Sequence, residues 1–374
     1  MMKIFPVTNK KDLNRFIKFP FQLYRHDPFW IPPLIMDQKN FFNPEKNPYY
    51  KHSEVQLFLA EDRENIVGRI SAHTNTQHNN FHDDKVGFFG FFEALDSLEV
   101  AQNLLDTATS WLKEKGCNEI RGPFNFSTND ECALLVKGFD SPPFVMMPHN
   151  KDYYEKLILQ SGFSKIMDFY AYLLPVTEPS PRLAKLTERL EKRGNFTIRS
   201  LAKNKKQRRK DLETVFHIYT RAWERNWGFV PMTPEEFDHT VDTLLPIALP
   251  ELILIAEVKG EPAGFSVALP DYNLVLKKMK GHLLPFGLLK ALYFKNKISR
   301  LRVITMGVIK EFQNRGIDVA FYHKSYETAY HHKQKFIVGE ISWILEINTM
   351  MNRIAHSLGG DLHKIYRTFN KKIN

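Results

Sequence analysis

The residues best placed to do chemistry lie in the last third of the 374-residue chain, where KEFQNRGIDVAF occupies positions 310–321. Gln313 and Gly316 bracket a turn, and the apolar spacing that follows predicts a helix from Ile317 to His331. A helix start of this kind offers unpaired N–H groups and the positive end of a dipole, which suit a phosphate. Gly316 lets the backbone come close, and Arg315 adds a charge contact. Downstream, three groups could move a proton: Glu340 on a strand, Glu346 at that strand's end, and Tyr366 on the last strand. Burial can raise a glutamate pKa towards neutrality, so Glu340 heads the list as a general base. A purely structural task is the other reading of all three.

Positioning these groups requires an ordered set of elements. A strand over 301–308, the helix after Gly316, a strand over 336–345, a helix over 348–358 closed by Gly359-Gly360, and a last strand over 362–369 follow one another. Before them come a strand at 196–201, a helix at 210–223 and a hairpin of 252–258 with 262–269. The first half has a similar rhythm. A helix at 11–18 precedes strands at 55–60, 66–74 and 87–93, then a helix at 97–114, a strand at 119–123, a helix at 152–160 and a strand at 169–174. Pro179 and Pro181 precede a helix at 182–193 and a basic run at 203–210, which is either a contact for anionic lipid or tRNA or a solvated helix start. Two domains are therefore expected, over 1–178 and 196–374, joined by a linker helix over 179–195.

In the second half, RVITMGVI, the turn, GEISWILEINTMMNRIAHSLGG and KIYRTFNKK resemble the GNAT superfamily of acyl-CoA-dependent N-acyltransferases. In the first half, HNKDYYEKLILQSGF followed by YAYLL resembles the close of a second such unit. The implied fold class is α/β, of α+β type: two tandem GNAT-like domains, each a mixed, mostly antiparallel sheet flanked by helices. With RNWGFVPMT and PAGFSVALPD, the whole chain is similar to a bacterial family of tandem GNAT-like proteins, some members of which are regarded as ceramide synthases. The resemblance implies acyl-CoA as co-substrate, no metal, and transfer of an acyl group to an amine, with a sphingoid base as one acceptor. It implies cofactor contacts from Met306 and Val308, from Gln313, Asn314, Arg315, Gly316, Ile317, Asp318, Val319 and Ala320, and from Asn348. Two departures stand out. Asp318 occupies a position where the family carries Gly or Ala, and Ala355 stands where many members carry a tyrosine acid. Two alternatives stay open: a transferase of the peptidoglycan type that takes aminoacyl groups from tRNA, and an acyl-CoA-binding module without chemistry.

The corresponding turn of the first half reads EALDSLEV, with no glycine and three carboxylates, so one active site per chain is expected. Acceptor recognition then falls to the polar stretch Ser127, Thr128, Asn129, Asp130 and Glu131, together with Trp227; an ordinary capped loop is the other reading of that stretch. His73, His78 and His82 lack the spacing of a metal site. A largely apolar run from Leu283 to Phe294 with basic flanks fits a membrane interface, a channel for an acyl chain, or a helix packed on the sheet with a cationic outer face. Two cysteines exclude a disulfide scaffold, and no stretch has the length of a signal peptide or a membrane span, so a cytoplasmic setting is expected. The net charge of +10 favours anionic partners, among them the cofactor and an anionic inner-membrane surface contacted peripherally; nucleic acid is not expected.

Overall fold

The computed structural model describes residues 2–373. The first half supplies β1 (Lys3–Pro6), α1 (Lys10–Leu23), α2 (Ile35–Phe41), β2 (Val55–Asp62), β3 (Asn65–Thr74), α3 (Thr76–His82) and β4 (Val86–Ala94). It continues with α4 (Leu98–Glu114), β5 (Glu119–Gly122), β6 (Leu134–Lys137), α5 (Tyr154–Gln160) and β7 (Ser164–Pro175). The linker is α6 (Pro181–Gly194). The second half opens with β8 (Phe196–Ser200), α7 (Lys205–Trp223), α8 (Pro234–Leu244), β9 (Ile253–Val258), β10 (Glu261–Pro270), α9 (Asn273–Met279) and α10 (Gly287–Phe294). It closes with β11 (Arg300–Val308), α11 (Ile317–His331), β12 (Val338–Leu345), α12 (Thr349–Ser357) and β13 (Asp361–Lys372).

Local chemistry accounts for the principal helices. The Ser97 side chain accepts the Val100 N–H at the head of α4, and Val100, Ala101, Leu104, Leu105, Ala108 and Leu112 form a buried stripe at helical spacing. Asn204 caps α7, so the basic run at 203–210 is largely the exposed opening of that helix. Thr233 and Glu236 form a reciprocal capping box on α8.

All strands join in one sheet, in the order β1-β2-β3-β4-β5-β13-β7-β12-β11-β10-β9-β8, with β6 also pairing β13. The two halves therefore exchange their closing strands. β13, from the second half, lies between β5 and β7 of the first, and β7 lies between β13 and β12. Mostly antiparallel pairing is interrupted by one parallel pair in each half, β4 with β5 and β11 with β12. The exchange also reaches into the cores. Phe369, on β13, is fully buried among Phe89, Leu104 and Tyr154 of the first half.

A single sheet with exchanged strands couples the stability of the two halves. Phe369→Ala should lower unfolding stability by about 3 to 5 kcal/mol. Denaturant titration followed by tryptophan fluorescence and far-UV circular dichroism should still give one coincident transition; separate transitions would show that the halves fold independently.

Candidate active site

β11 and β12 pair in parallel only from Arg300 opposite Val338 to Val303 opposite Ile341. Beyond that point each follows its outer neighbour. β11 stays on β10 as far as Val308, while β12 stays on β7 through Ile344 and Leu345 after a register shift that frees Ser342 and Trp343. The strands diverge, and the opening is a cavity of about 300 Å3 lined by both strands, by Trp223 of α7 and by the start of α11. Gly307 permits this arrangement, because a Cβ there would come within 2.9 Å of Ala222 and 3.1 Å of the Trp223 indole nitrogen.

The turn before α11 borders the same cavity. Gly316 has φ +82° and heads the helix, and no side chain caps its first N–H groups. Uncapped N–H groups at a helix start are the feature that a phosphate seat requires. A Cβ on Gly316 would lie 2.7 Å from Leu190 of α6, so the glycine is needed both for its backbone angle and for the linker helix that closes over it. The corresponding helix of the first half, α4, is capped by Ser97 and carries Glu99 in its first turn.

Two further cavities adjoin. The second, about 180 Å3, shares Trp223, Ile304, Thr305 and Trp343 with the first and runs between α7, α8 and β10 past Leu212, Phe237, Val241, Leu244 and Phe265. Its walls are largely apolar except at one end, where Thr128, Asn129, Asp130 and Arg302 stand. The third, about 320 Å3, lies in the first half where β4 and β5 part after Phe88 and Arg121. It shares Asp130 and Met146 with the second and carries Arg69, Glu93, Glu131 and His149.

Asp130 thus stands where an apolar cavity meets a charged one. Burial raises its carboxyl to about 7, against a 3.0 Å hydrogen bond from the Ser127 hydroxyl that favours the charged form. Glu131 is accessible through the third cavity but enclosed by protein, and that enclosure raises its pKa against the pull of Arg302.

No family model matches the chain. It is 37% identical over 372 residues to protein YghO of Escherichia coli strain K12, covering 98% of this chain and 94% of that protein. It is 36% identical over 380 residues to the bacterial ceramide synthase of Caulobacter vibrioides, covering 100% of this chain and 98% of that protein. Among solved structures, it matches a tandem GNAT protein from the clavulanic acid biosynthesis pathway with a TM-score of 0.58 at 9% identity, covering 100% of this chain and 99% of the other. The chain belongs to the family that includes the bacterial ceramide synthase of Caulobacter vibrioides, and its fold is that of tandem GNAT proteins. A GCN5-related N-acetyltransferase from Sphaerobacter thermophilus shares the tandem GNAT fold at a TM-score of 0.54 and 11% identity, covering 100% and 96% of the two chains.

Within the GNAT frame, Met306, Val308, Gln313, Asn314, Ile317, Asp318 and Asn348 line the cleft between β11 and β12. Arg315, Gly316, Val319 and Ala320 do not. The Arg315 guanidinium instead donates to the Gly194 carbonyl at 3.3 Å, Gly316 faces Leu190, and Ala320 is buried in the core beneath the helix. Asp318 borders the cavity, and a carboxylate there opposes an anionic ligand. The turn fits a cofactor diphosphate in backbone geometry and opposes it in charge at that one position. Ala355 is fully buried and supplies no acid, whereas Tyr322 of α11 lines the cleft.

The proton-transfer candidates fall elsewhere. Glu340 is fully buried, lines none of these three cavities, and accepts from the Ser342 hydroxyl at 2.5 Å while pairing with His363 at 2.7 Å. It stands 3.8 Å from Arg302, whose guanidinium donates to Ser342 Oγ and to the Val145 carbonyl, each at 2.7 Å. Glu340 therefore balances the buried arginine that borders the apolar cavity. Glu346 accepts from Lys165 at 2.7 Å and from the Asp168 N–H at 3.0 Å, away from the cleft. The Tyr366 ring is buried against β6 and β7 with its hydroxyl unpartnered. Asn129 ties the halves together, accepting from the Tyr219 hydroxyl and donating to the Val230 carbonyl at 3.3 Å, and Trp227 packs edge-on against Phe169. Trp223, Arg302, Tyr322 and Trp343 were missed from sequence, although an arginine at the start of the otherwise apolar run RVITMGVI was a readable signal.

Replacing one partner of a buried ion pair leaves the other charge uncompensated. Glu340→Gln should therefore cost about 3 kcal/mol or more of stability in chemical denaturation. Wild-type stability with lost turnover would return Glu340 to the list of proton-transfer groups.

Proposed function

We propose that this N-acyltransferase moves an acyl group, of long chain, from acyl-CoA to a primary amine on an amphiphilic acceptor, with a sphingoid base as the acceptor class that fits best. The observation that carries the reading is Asp130, a carboxyl with a pKa of about 7 where the apolar cavity meets the charged one. Coenzyme A would lie along β11 with its diphosphate at the head of α11, and the acyl chain would extend into the apolar cavity bounded by α7 and α8. That places the acyl channel between α7 and α8, not in the apolar insertion at Leu283 to Phe294. The acceptor's ammonium group would be drawn to the third cavity, which carries Glu93, Asp130 and Glu131. The 36% identity to the Caulobacter vibrioides bacterial ceramide synthase over the full chain supports the acceptor class.

In the transfer, the ammonium first loses a proton through the Asp130 carboxylate to solvent; the freed amine nitrogen attacks the thioester carbonyl, the N–C bond forms, the C–S bond breaks, and the second nitrogen proton passes to Asp130. The Tyr322 phenol lines the cleft and can give a proton to the sulfur as the C–S bond breaks and recover one from solvent, against the upward pull of burial on its pKa, which weakens it as an acid. A peripheral position at an anionic membrane belongs to the same reading, since no helix among the described residues is long and apolar enough to cross a bilayer.

Two substitutions test the reading. If Asp130 is the base, kcat/KM for an acyl-CoA and a long-chain amine should rise with pH through about 7, and Asp130→Asn should remove that limb and slow turnover by on the order of 10² to 10⁴. The substitution also has a stability signature. Because burial holds the native pKa above that of an ordinary aspartate, the folded state holds this proton more tightly and loses stability as pH rises from about 4 to 7. Asp130→Asn should then be more stable than the wild type at pH 8, and an unchanged pH–rate profile would remove Asp130 from the chemistry. The second substitution, Asp318→Asn, should tighten coenzyme A binding by calorimetry by about fivefold, the effect of removing one like charge near a partly screened phosphate. Binding without turnover for any amine would favour the non-catalytic module.

A further inference from the structure

The segment between β10 and β11 leaves an unusual surface. From Tyr272 to Lys310 the chain contains nine lysines and arginines and no carboxylate. Within it α10, through Ala291 and Phe294, and Leu283 of the loop before it pack inward against a core that includes Val275, Met279 and Ile298. The outward face of α10 is largely apolar, with Lys290 the one cationic side chain on the helix itself. Leu284 is 72% exposed, Phe286 67%, Leu289 63% and Tyr293 61%, with Leu288 and Leu292 beside them. Lys277, Lys278, Lys280, Lys290, Lys295 and Lys297 are all exposed around this patch. Monomeric soluble surfaces rarely concentrate large apolar side chains in this way.

The patch also borders an opening. The Ile35 N–H at the head of α2 donates to the Gly281 carbonyl at 3.0 Å, fastening α2 to the loop between α9 and α10. Pro33 and Gln38 from the α2 region and Leu276 of α9 bound the third cavity on this side. Met36, 51% exposed, extends the apolar surface across that rim.

We propose that the outer face of α10, with its lysine ring, docks on an anionic lipid leaflet and brings the rim of the third cavity to headgroup level, so that an amphiphilic amine enters from the bilayer. The inference rests on the acyl-transfer reading for the identity of what enters, but the docking itself does not. Apolar side chains would enter the headgroup and acyl boundary while the lysines meet lipid phosphates, a division of labour that a short amphipathic helix with a basic rim supports. A second copy fits less well. Two-fold pairing through this patch would bring one lysine ring against another.

The experiment is flotation of the full chain with vesicles containing phosphatidylglycerol and with vesicles of phosphatidylcholine alone, alongside the double variant Leu284→Glu/Leu289→Glu. Both leucines are mostly exposed, so the variant keeps its core. The wild type should float with the anionic vesicles, less so at high salt and with phosphatidylcholine, and each substitution should lower partitioning on the order of tenfold or more. Turnover of a short, water-soluble amine should match the wild type, while turnover of a long-chain amine presented in vesicles should fall. Equal flotation of variant and wild type overturns the proposal. So does a wild type that fails to float but elutes as a dimer that the variant converts to a monomer, since the face then belongs to a second copy. If flotation is lost in the variant but no protein acylates any amine, the docking surface stands and the acyl-transfer reading falls.

Discussion

The hydrogen-bonded ladder between β7 and β12 is the constraint on which the rest depends. It joins the last strand of the first half to the parallel pair of the second, and so it decides how far β12 can follow β11. After Ile341 the two obligations compete, and β12 keeps β7. A right-handed twist accumulates along each pair, so strands held by different outer neighbours separate. Their separation ends the ladder between β11 and β12 at Val303 and Ile341 and opens the cleft beyond. Covalent continuity between the halves is supplied by α6, but the active geometry is supplied by exchanged strands, and α6 then adds Leu190 as the lid over Gly316.

The two halves show how little separates an open helix start from a capped one. Each has a strand, a turn and a helix in the same order, and each has a parallel pair that parts after three or four residues. In the first half a serine satisfies the helix N-terminus and a glutamate occupies its first turn. In the second a glycine with φ +82° leaves the same groups open. The splay of the first half holds a cavity edged by carboxylates, and it contributes Asp130 to the junction with the apolar cavity of the other half.

Much of the scaffold was legible because it depends on local patterns. The helix Ile317–His331 and the strands around it follow from apolar periodicity and from Gly316, and the structure has them within a few residues of the expected bounds. The site was less legible, for a specific reason. A strand carboxylate such as Glu340 looks the same in sequence whether it faces a cavity or a buried arginine, and only the register with β7 and the freed pair Ser342 and Trp343 decides. Asp130 was read as part of an acceptor loop, but its raised pKa depends on burial, with Glu236, on α8, adding to it. The short α8, whose wall makes the apolar cavity, was not anticipated from sequence, although Thr233 and Glu236 had the spacing of a capping box.

The position of β13 bears on the order in which the protein can be made. β5 and β7 belong to the part of the chain that leaves the ribosome first, yet the strand that fills the gap between them is residues 361–372. Until that segment emerges, the first half must wait with two unsatisfied strand edges and with its hydrophobic interior lacking Phe369. The sheet of the first half is therefore completed only by the last strand to be synthesised, and its core closes only when Phe369 arrives.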